Sequence, residues 1–188
     1  MILDTLITDR TQEDVDYVRM LSKNGTFDPD FYNGELKGAY NARDLNRVEE
    51  AVEYVADELS QALTVLQAYA VSLNVAWDDY YGVDFDPADY TGVVVKKTWT
   101  ETDVPNVTDM TRYLNNLVLI KAAYNTPVVL PTTMDGLTYV FANNIESMLL
   151  GAHQQLQADI ELKKSYIRSA AECWRSGDIY SGEIGGAA

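Results

Sequence analysis

The sequence predicts a mainly α protein: an elongated antiparallel helical bundle with two long heptad-patterned helices, a shorter third helix and a small irregular or β insert. Three observations predict it. Apolar residues recur at alternating spacings of 3 and 4 in three stretches, each stretch opens on a residue able to cap a helix, and the segments between them are rich in Gly, Pro and Asn.

The longest pattern runs from Asn41 to about Leu73. Leu45, Val48, Val52, Val55, Leu59, Ala62, Leu66, Tyr69 and Leu73 form an unbroken seam. At about 1.5 Å per residue this is a rod of roughly 50 Å. Such a helix needs a partner for its apolar face, in this chain or in a second copy. Asn41 is the expected N-cap, with Asp44 placing negative charge near the positive end of the helix dipole.

Before the rod, Thr11 and Asp14 form a capping signal for a short helix carrying Val15, Val18 and Leu21, which Asn24-Gly25 ends. From Thr26 to Tyr40 Gly, Pro, Asn and aromatic residues alternate without a period, as in a loop that packs by its rings. After the rod, Asn74 to Pro105 contains the β-branched run Val93 to Val95, and one or two short strands or an extended arm are expected.

Asn106 and Asp109 repeat the Asn41 and Asp44 signal and open a second seam through Met110, Tyr113, Leu117, Ile120 and Tyr124, closed by Asn125-Thr126-Pro127. An extended connector from Pro127 to Gly136 leads to Thr138, the expected cap of a last helix. This helix carries Ala142, Ile145, Leu149, Ala152, Leu156, Ile160, Ile167 and Trp174. Its length nearly matches the rod, which suggests antiparallel partners. Ala142-Asn143-Asn144-Ile145-Glu146 also echoes Leu45-Asn46-Arg47-Val48-Glu49. The organisation expected is thus 1–40, a short helix and aromatic loop; 41–175, the bundle with its insert 74–105; and 176–188, an extended arm in which Ser176-Gly177-Asp178-Ile179 returns as Ser181-Gly182-Glu183-Ile184.

Composition narrows the function. Fourteen basic residues against 29 acidic give a net charge of −15, which repels nucleic-acid phosphates and anionic membranes, so neither is an expected partner. No stretch has the 18 uninterrupted apolar residues of a membrane span, and MILDTLITDR is no secretion signal. Cys173 is the single cysteine, so no intrachain disulfide forms.

No catalytic constellation stands out, and neither enzymatic activity nor a cofactor is expected. His153 is the only histidine and falls on the border of the last seam, where a packing role is the default. Asp84, Asp86 and Asp89, near Asp78 and Asp79, are weak candidates for a hard cation such as Ca²⁺; with Asp84 as first ligand, an EF-hand needs Gly where Asp89 stands and Glu where Val95 stands, so a solvated acidic loop is the better reading. Trp77, Tyr80, Tyr81 and Trp99 in the insert, with Ile179, Tyr180 and Ile184 in the arm, are the docking candidates. The same aromatic and acidic insert admits an alternative, a carbohydrate-binding or glycan-hydrolysing module. Asn46, Asn115 and Asn143 lie among seam residues near loop-to-helix junctions, where each either fixes helix register or bonds the backbone of a neighbouring loop.

Several motifs, in order, resemble a module of tail-region structural proteins in bacteriophages and prophages of Firmicutes: LITDRTQEDVDYV, LKGAYNARDLNRVEEAVEYV, KTWTETDVPNVTDMTRYLNNL, LPTTMDGLTYVFANNIESML and SGDIYSGEI. The resemblance implies a non-enzymatic virion protein, a tail, baseplate or fibre adaptor. Its partners would be other virion proteins and copies of itself in a symmetric assembly. It would be made in the host bacterial cytoplasm and located in the virion. The resemblance carries no catalytic or ligand residues to positions here.

Overall fold

The computed structural model describes residues 1–26, 36–38, 40–100 and 102–176, with the side chains of 174–176 excepted. The chain is mainly helical: α1 (Gln12–Lys23), α2 (Ala42–Ser72), α3 (Val107–Ala123) and α4 (Tyr139–Ser176), with 3₁₀ turns at Ile2–Thr5, Asp79–Tyr81 and Pro87–Tyr90. The expected β part of the insert is not found. Among the described residues there is no strand, and Val93 to Val95 lie in irregular backbone. Ile179, Tyr180, Ile184 and the expected extended arm, and most of the expected aromatic loop before Tyr40, lie outside the described residues.

Side-chain caps set the helix starts. Thr11 accepts from the Asp14 amide, and the Asp14 carboxylate takes the Thr11 amide in return. Asn41 and Asp44 make the same reciprocal pair at α2, while Asn106 accepts from the Asp109 amide at α3. Thr138 Oγ1 accepts from the Phe141 amide at the start of α4. Gly25, at φ +66°, closes α1 in the left-handed region where a side chain is strained.

The seam residues bury themselves in one core. Leu45, Val48, Val52, Val55, Leu59, Ala62 and Leu66 of α2 meet Ile145, Leu149, Ala152 and Leu156 of α4 and Tyr113, Leu117 and Ile120 of α3. Tyr69 and Leu73 are half-buried at its edge. The expectation of antiparallel packing is corrected by the pairs that join the helices. Arg47 bonds Glu146, Glu58 bonds His153 and Gln157, and the Lys164 ammonium lies over the Tyr69 ring, so numbers rise together along α2 and α4. Arg112 bonds Glu49 near one end and Tyr124 bonds Asp159 further along. The helices α2, α3 and α4 are therefore parallel.

Parallel neighbours need the chain to travel back between them. After α2 the insert does this: Val75 bonds Ala70, Lys97 pairs with Glu53, and Trp99 pairs with Asn46, each contact lying nearer the start of α2 than the one before. After α3 a shorter return runs along α4, with Tyr124 at Asp159, Thr126 beside Gly151 and Val129 bonded to Asn144. What reads in sequence as loop is thus a second layer of extended chain laid on the helices. Gly38 shows how closely such layers approach: a Cβ there would fall 2.0 Å from the Asp14 carbonyl oxygen and 2.7 Å from the Val15 amide nitrogen. Gly38→Ala must push α1 away, with an expected loss of about 1–3 kcal/mol. An unchanged urea midpoint for that variant would show that α1 is not held there.

Candidate functional site

The seams account for apolar burial, yet the centre of the molecule also buries charge. Glu49 and Glu146 are 0% exposed, and Arg10 and Asp44 are 4% and 5% exposed. Buried charges persist only when paired and fully hydrogen-bonded, and the bonding here meets that demand closely. Glu146 Oε1 accepts from Arg10 Nη2 at 2.6 Å and Arg47 Nη2 at 2.9 Å. Its Oε2 accepts from the Ile7 amide and from Arg47 Nε. Asp44 accepts from both arginines and from the Asn41 amide, so one carboxylate caps α2 and anchors the N-terminal segment at once. Two arginines face two carboxylates, and the cluster is neutral.

A second pair lies alongside. Arg112 of α3 donates from Nη1 and Nη2 to the two oxygens of Glu49, at 2.9 and 2.6 Å, in a forked pair. Arg112 Nη1 also donates to the Val94 carbonyl, tying the return segment to α3. The mutual bonds hold Arg47 and Arg112 more firmly protonated than usual, Arg47 despite its burial.

The two asparagines of the echoed motif do the same job in two places. Asn46 Nδ2 donates to the Trp99 carbonyl at 2.9 Å, and the Trp99 amide donates to Asn46 Oδ1 at 2.8 Å. Asn143 Nδ2 donates to the Arg10 carbonyl at 2.9 Å, and the Arg10 amide donates to Asn143 Oδ1 at 3.0 Å. Each side-chain amide thus mimics a strand neighbour and satisfies both polar groups of one extended residue. The spacing from the cap is also the same: Asn46 and Glu49 stand 5 and 8 residues after Asn41, and Asn143 and Glu146 stand 5 and 8 after Thr138. The helix α2 thereby holds the segment that leads into α3, and α4 holds the segment that leads into α1. Asn115 does not share this role; it is exposed, and its neighbour Asn116 donates to the Val94 carbonyl instead.

Tyr40 and Tyr113 close the site, with their hydroxyls 2.6 Å apart and the Arg10 guanidinium 5.5 Å above the Tyr40 ring. Burial pushes both phenols above their ordinary value of 10. A group whose folded pKa is raised contributes stability that is complete below its unfolded value and is lost as pH rises past it. The unfolding midpoint is therefore expected to fall steeply above pH 10, and Tyr113→Phe to make that fall shallower. Urea titrations at stepped alkaline pH check this.

The docking candidates separate on inspection. Trp99 is corrected: at 4% exposed it is a core residue, its backbone held by Asn46 and its ring covered by the Lys96 ammonium at 3.6 Å, so it is no open platform. Trp77 and Tyr81 are half-buried and pack edge to face. Tyr80 is 63% exposed beside Tyr166 and remains a surface aromatic. Among the described residues no three His, Cys, Asp or Glu side chains are placed to hold a metal ion. Asp86 caps the turn at Pro87–Tyr90 by accepting from the Ala88 amide, while Asp84 and Asp89 are exposed. His153 Nδ1 lies 2.6 Å from Glu58, between α2 and α4.

Sequence reasoning singled out Asn46 and Asn143 but missed Arg10, Asp44 as its partner, and the burial of both glutamates. The available signal was a glutamate directly beside a seam valine or isoleucine, recurring with the asparagine. No helix of the described residues is long and apolar enough to cross a membrane. No family model, no curated protein and no solved structure matches the chain.

Proposed function

We propose that the protein is a non-enzymatic structural component of a bacteriophage virion, an adaptor in the tail, baseplate or fibre base that docks other virion proteins. One observation carries the reading. The motifs that resemble tail-region modules contain Arg10, Asn41, Asp44, Asn46, Arg47, Glu49, Trp99, Arg112, Asn143 and Glu146, and these side chains or backbones are committed to one another. A reactive group must be available to a substrate, whereas these polar groups serve to hold extended segments on a rigid helical body. Rigid bodies dressed with anchored segments suit an assembly part, whose task is to present surfaces in fixed positions.

Co-expression with neighbouring tail proteins, followed by affinity capture and native mass, tests the proposal. A stable complex of fixed stoichiometry is the expected result. A chain that stays apart from every tail protein yet binds a glycan array through Tyr80 or Trp77 would overturn it in favour of the carbohydrate-binding alternative.

A further inference from the structure

Near the starts of α1 and α4 lies a cleft of about 420 Å³ whose wall includes Arg10, Arg19, Lys37, Tyr40, Leu137 and Val140. In a chain of net charge −15 the described residues of its wall include Lys37 and Arg19 and no Asp or Glu, with Arg10 paired to Asp44 and Glu146 behind them. The first turn of α4 forms another part of the wall and has no acidic residue to offset its positive dipole end. Arg10 is 4% exposed, and its Nε is buried without a hydrogen-bond partner. Lys37 and Arg19 pair with Asp9 and Asp16, but these are exposed pairs outside the wall and hold their cations weakly. The chemistry favoured is an acidic peptide with an aromatic or aliphatic side chain.

The sequence contains such a peptide after α4: Gly177-Asp178-Ile179-Tyr180-Ser181-Gly182-Glu183-Ile184. It cannot reach the cleft of its own molecule. The 38 residues of α4 span about 57 Å at 1.5 Å each, and the seven residues after Ser176, ending at Glu183, can cover at most about 25 Å. We infer that the cleft takes the Asp178 to Glu183 segment of a second copy, so that copies join head to tail. Parallel packing of α2, α3 and α4 agrees with this polarity, because their dipoles add and leave opposite ends of opposite sign. Contacts of this kind do not close on themselves at two copies and build rows or rings.

The inference deepens the assembly reading above, yet it concerns the purified chain alone, so its failure is separable from failure to bind tail proteins. Sedimentation of the full chain over a range of concentrations is the test. A ladder of species above the dimer is expected. Arg19→Glu with Lys37→Glu, or Asp178→Lys with Glu183→Lys, should each weaken association about tenfold or more, with helical content by circular dichroism unchanged. A mixture of the two charge-reversed proteins should associate again, with the two variants alternating, because the unchanged acidic tail of one meets the unchanged cleft of the other and the two reversed surfaces are again opposite in sign. A chain that stays monomeric at all concentrations, or association indifferent to the tail reversal but lost on reversing Asp28 and Asp30, overturns the inference.

Discussion

Arg10→Ala is expected to remove about 3–5 kcal/mol of stability, because it strands two carboxylates that have almost no access to water. In a chain of this size that loss lowers the melting temperature by about 6–20 °C. Arg10 joins the N-terminal segment to α2 through Asp44 and to α4 through Glu146, so its loss also loosens residues 1–11, which Asn143 and the buried Leu3 still hold. Hydrogen exchange should show the Ile7 amide, which donates to Glu146, losing protection first. Arg19→Ala supplies the control. Arg19 meets Asp16 at 3.4 Å in an exposed pair, and its replacement should shift stability by less than about 0.5 kcal/mol. Equal effects for the two variants would mean that the cluster is not the keystone described here.

Asn46→Leu and Asn143→Leu form the second prediction, at about 2–4 kcal/mol each. Leucine keeps roughly the volume but leaves the amide and carbonyl of Trp99, or of Arg10, with no partner. The two variants should loosen different segments. Asn46→Leu frees the return that passes Trp99 and with it the seating of α3, whereas Asn143→Leu frees the start of α1. Trp99 fluorescence should therefore shift in the first variant and stay in place in the second. Asn115→Leu, at an exposed site, should do neither. A common response of all three would reduce the asparagines to ordinary helix residues.

These predictions also mark what could be read from the residues. Helix positions were legible because α2, α3 and α4 keep their apolar residues on one face, and because Thr11, Asn41, Asn106 and Thr138 carry short polar side chains where free amides need them. Helix direction was not. The rod and the last helix have similar lengths, which suits a hairpin, and nothing local in a seam states which way its neighbour runs. The missed clue was connection length. Residues 74–106 and 124–138 are far longer than the two to eight residues that usually join antiparallel helices, and long enough to run back along a helix.

The site was half legible for a related reason. Asn46 and Asn143 stood out as polar residues repeated beside a seam, but the residues they hold, Trp99 and Arg10, are 53 and 133 positions away. Trp99 in a polar, Asp-rich insert reads as a surface aromatic until its backbone is seen fastened to α2. Glu49 and Glu146 were visible only as a recurring glutamate, because the arginines that pair with them come from other elements. Long-range pairing of this kind leaves no period in the sequence.

Helix direction underlies the whole account, since only parallel packing lets each long helix hold the segment that enters the next short one. Distances between spin labels read it directly. With Cys173→Ser as background, labels at Glu50→Cys and Val140→Cys are compared with labels at Glu50→Cys and Arg168→Cys, all at exposed positions. Val140 and Arg168 lie 28 residues apart on α4, about 42 Å along its axis. Parallel helices make the Glu50 to Val140 distance the shorter by on the order of 15 Å; a shorter Glu50 to Arg168 distance would contradict the account.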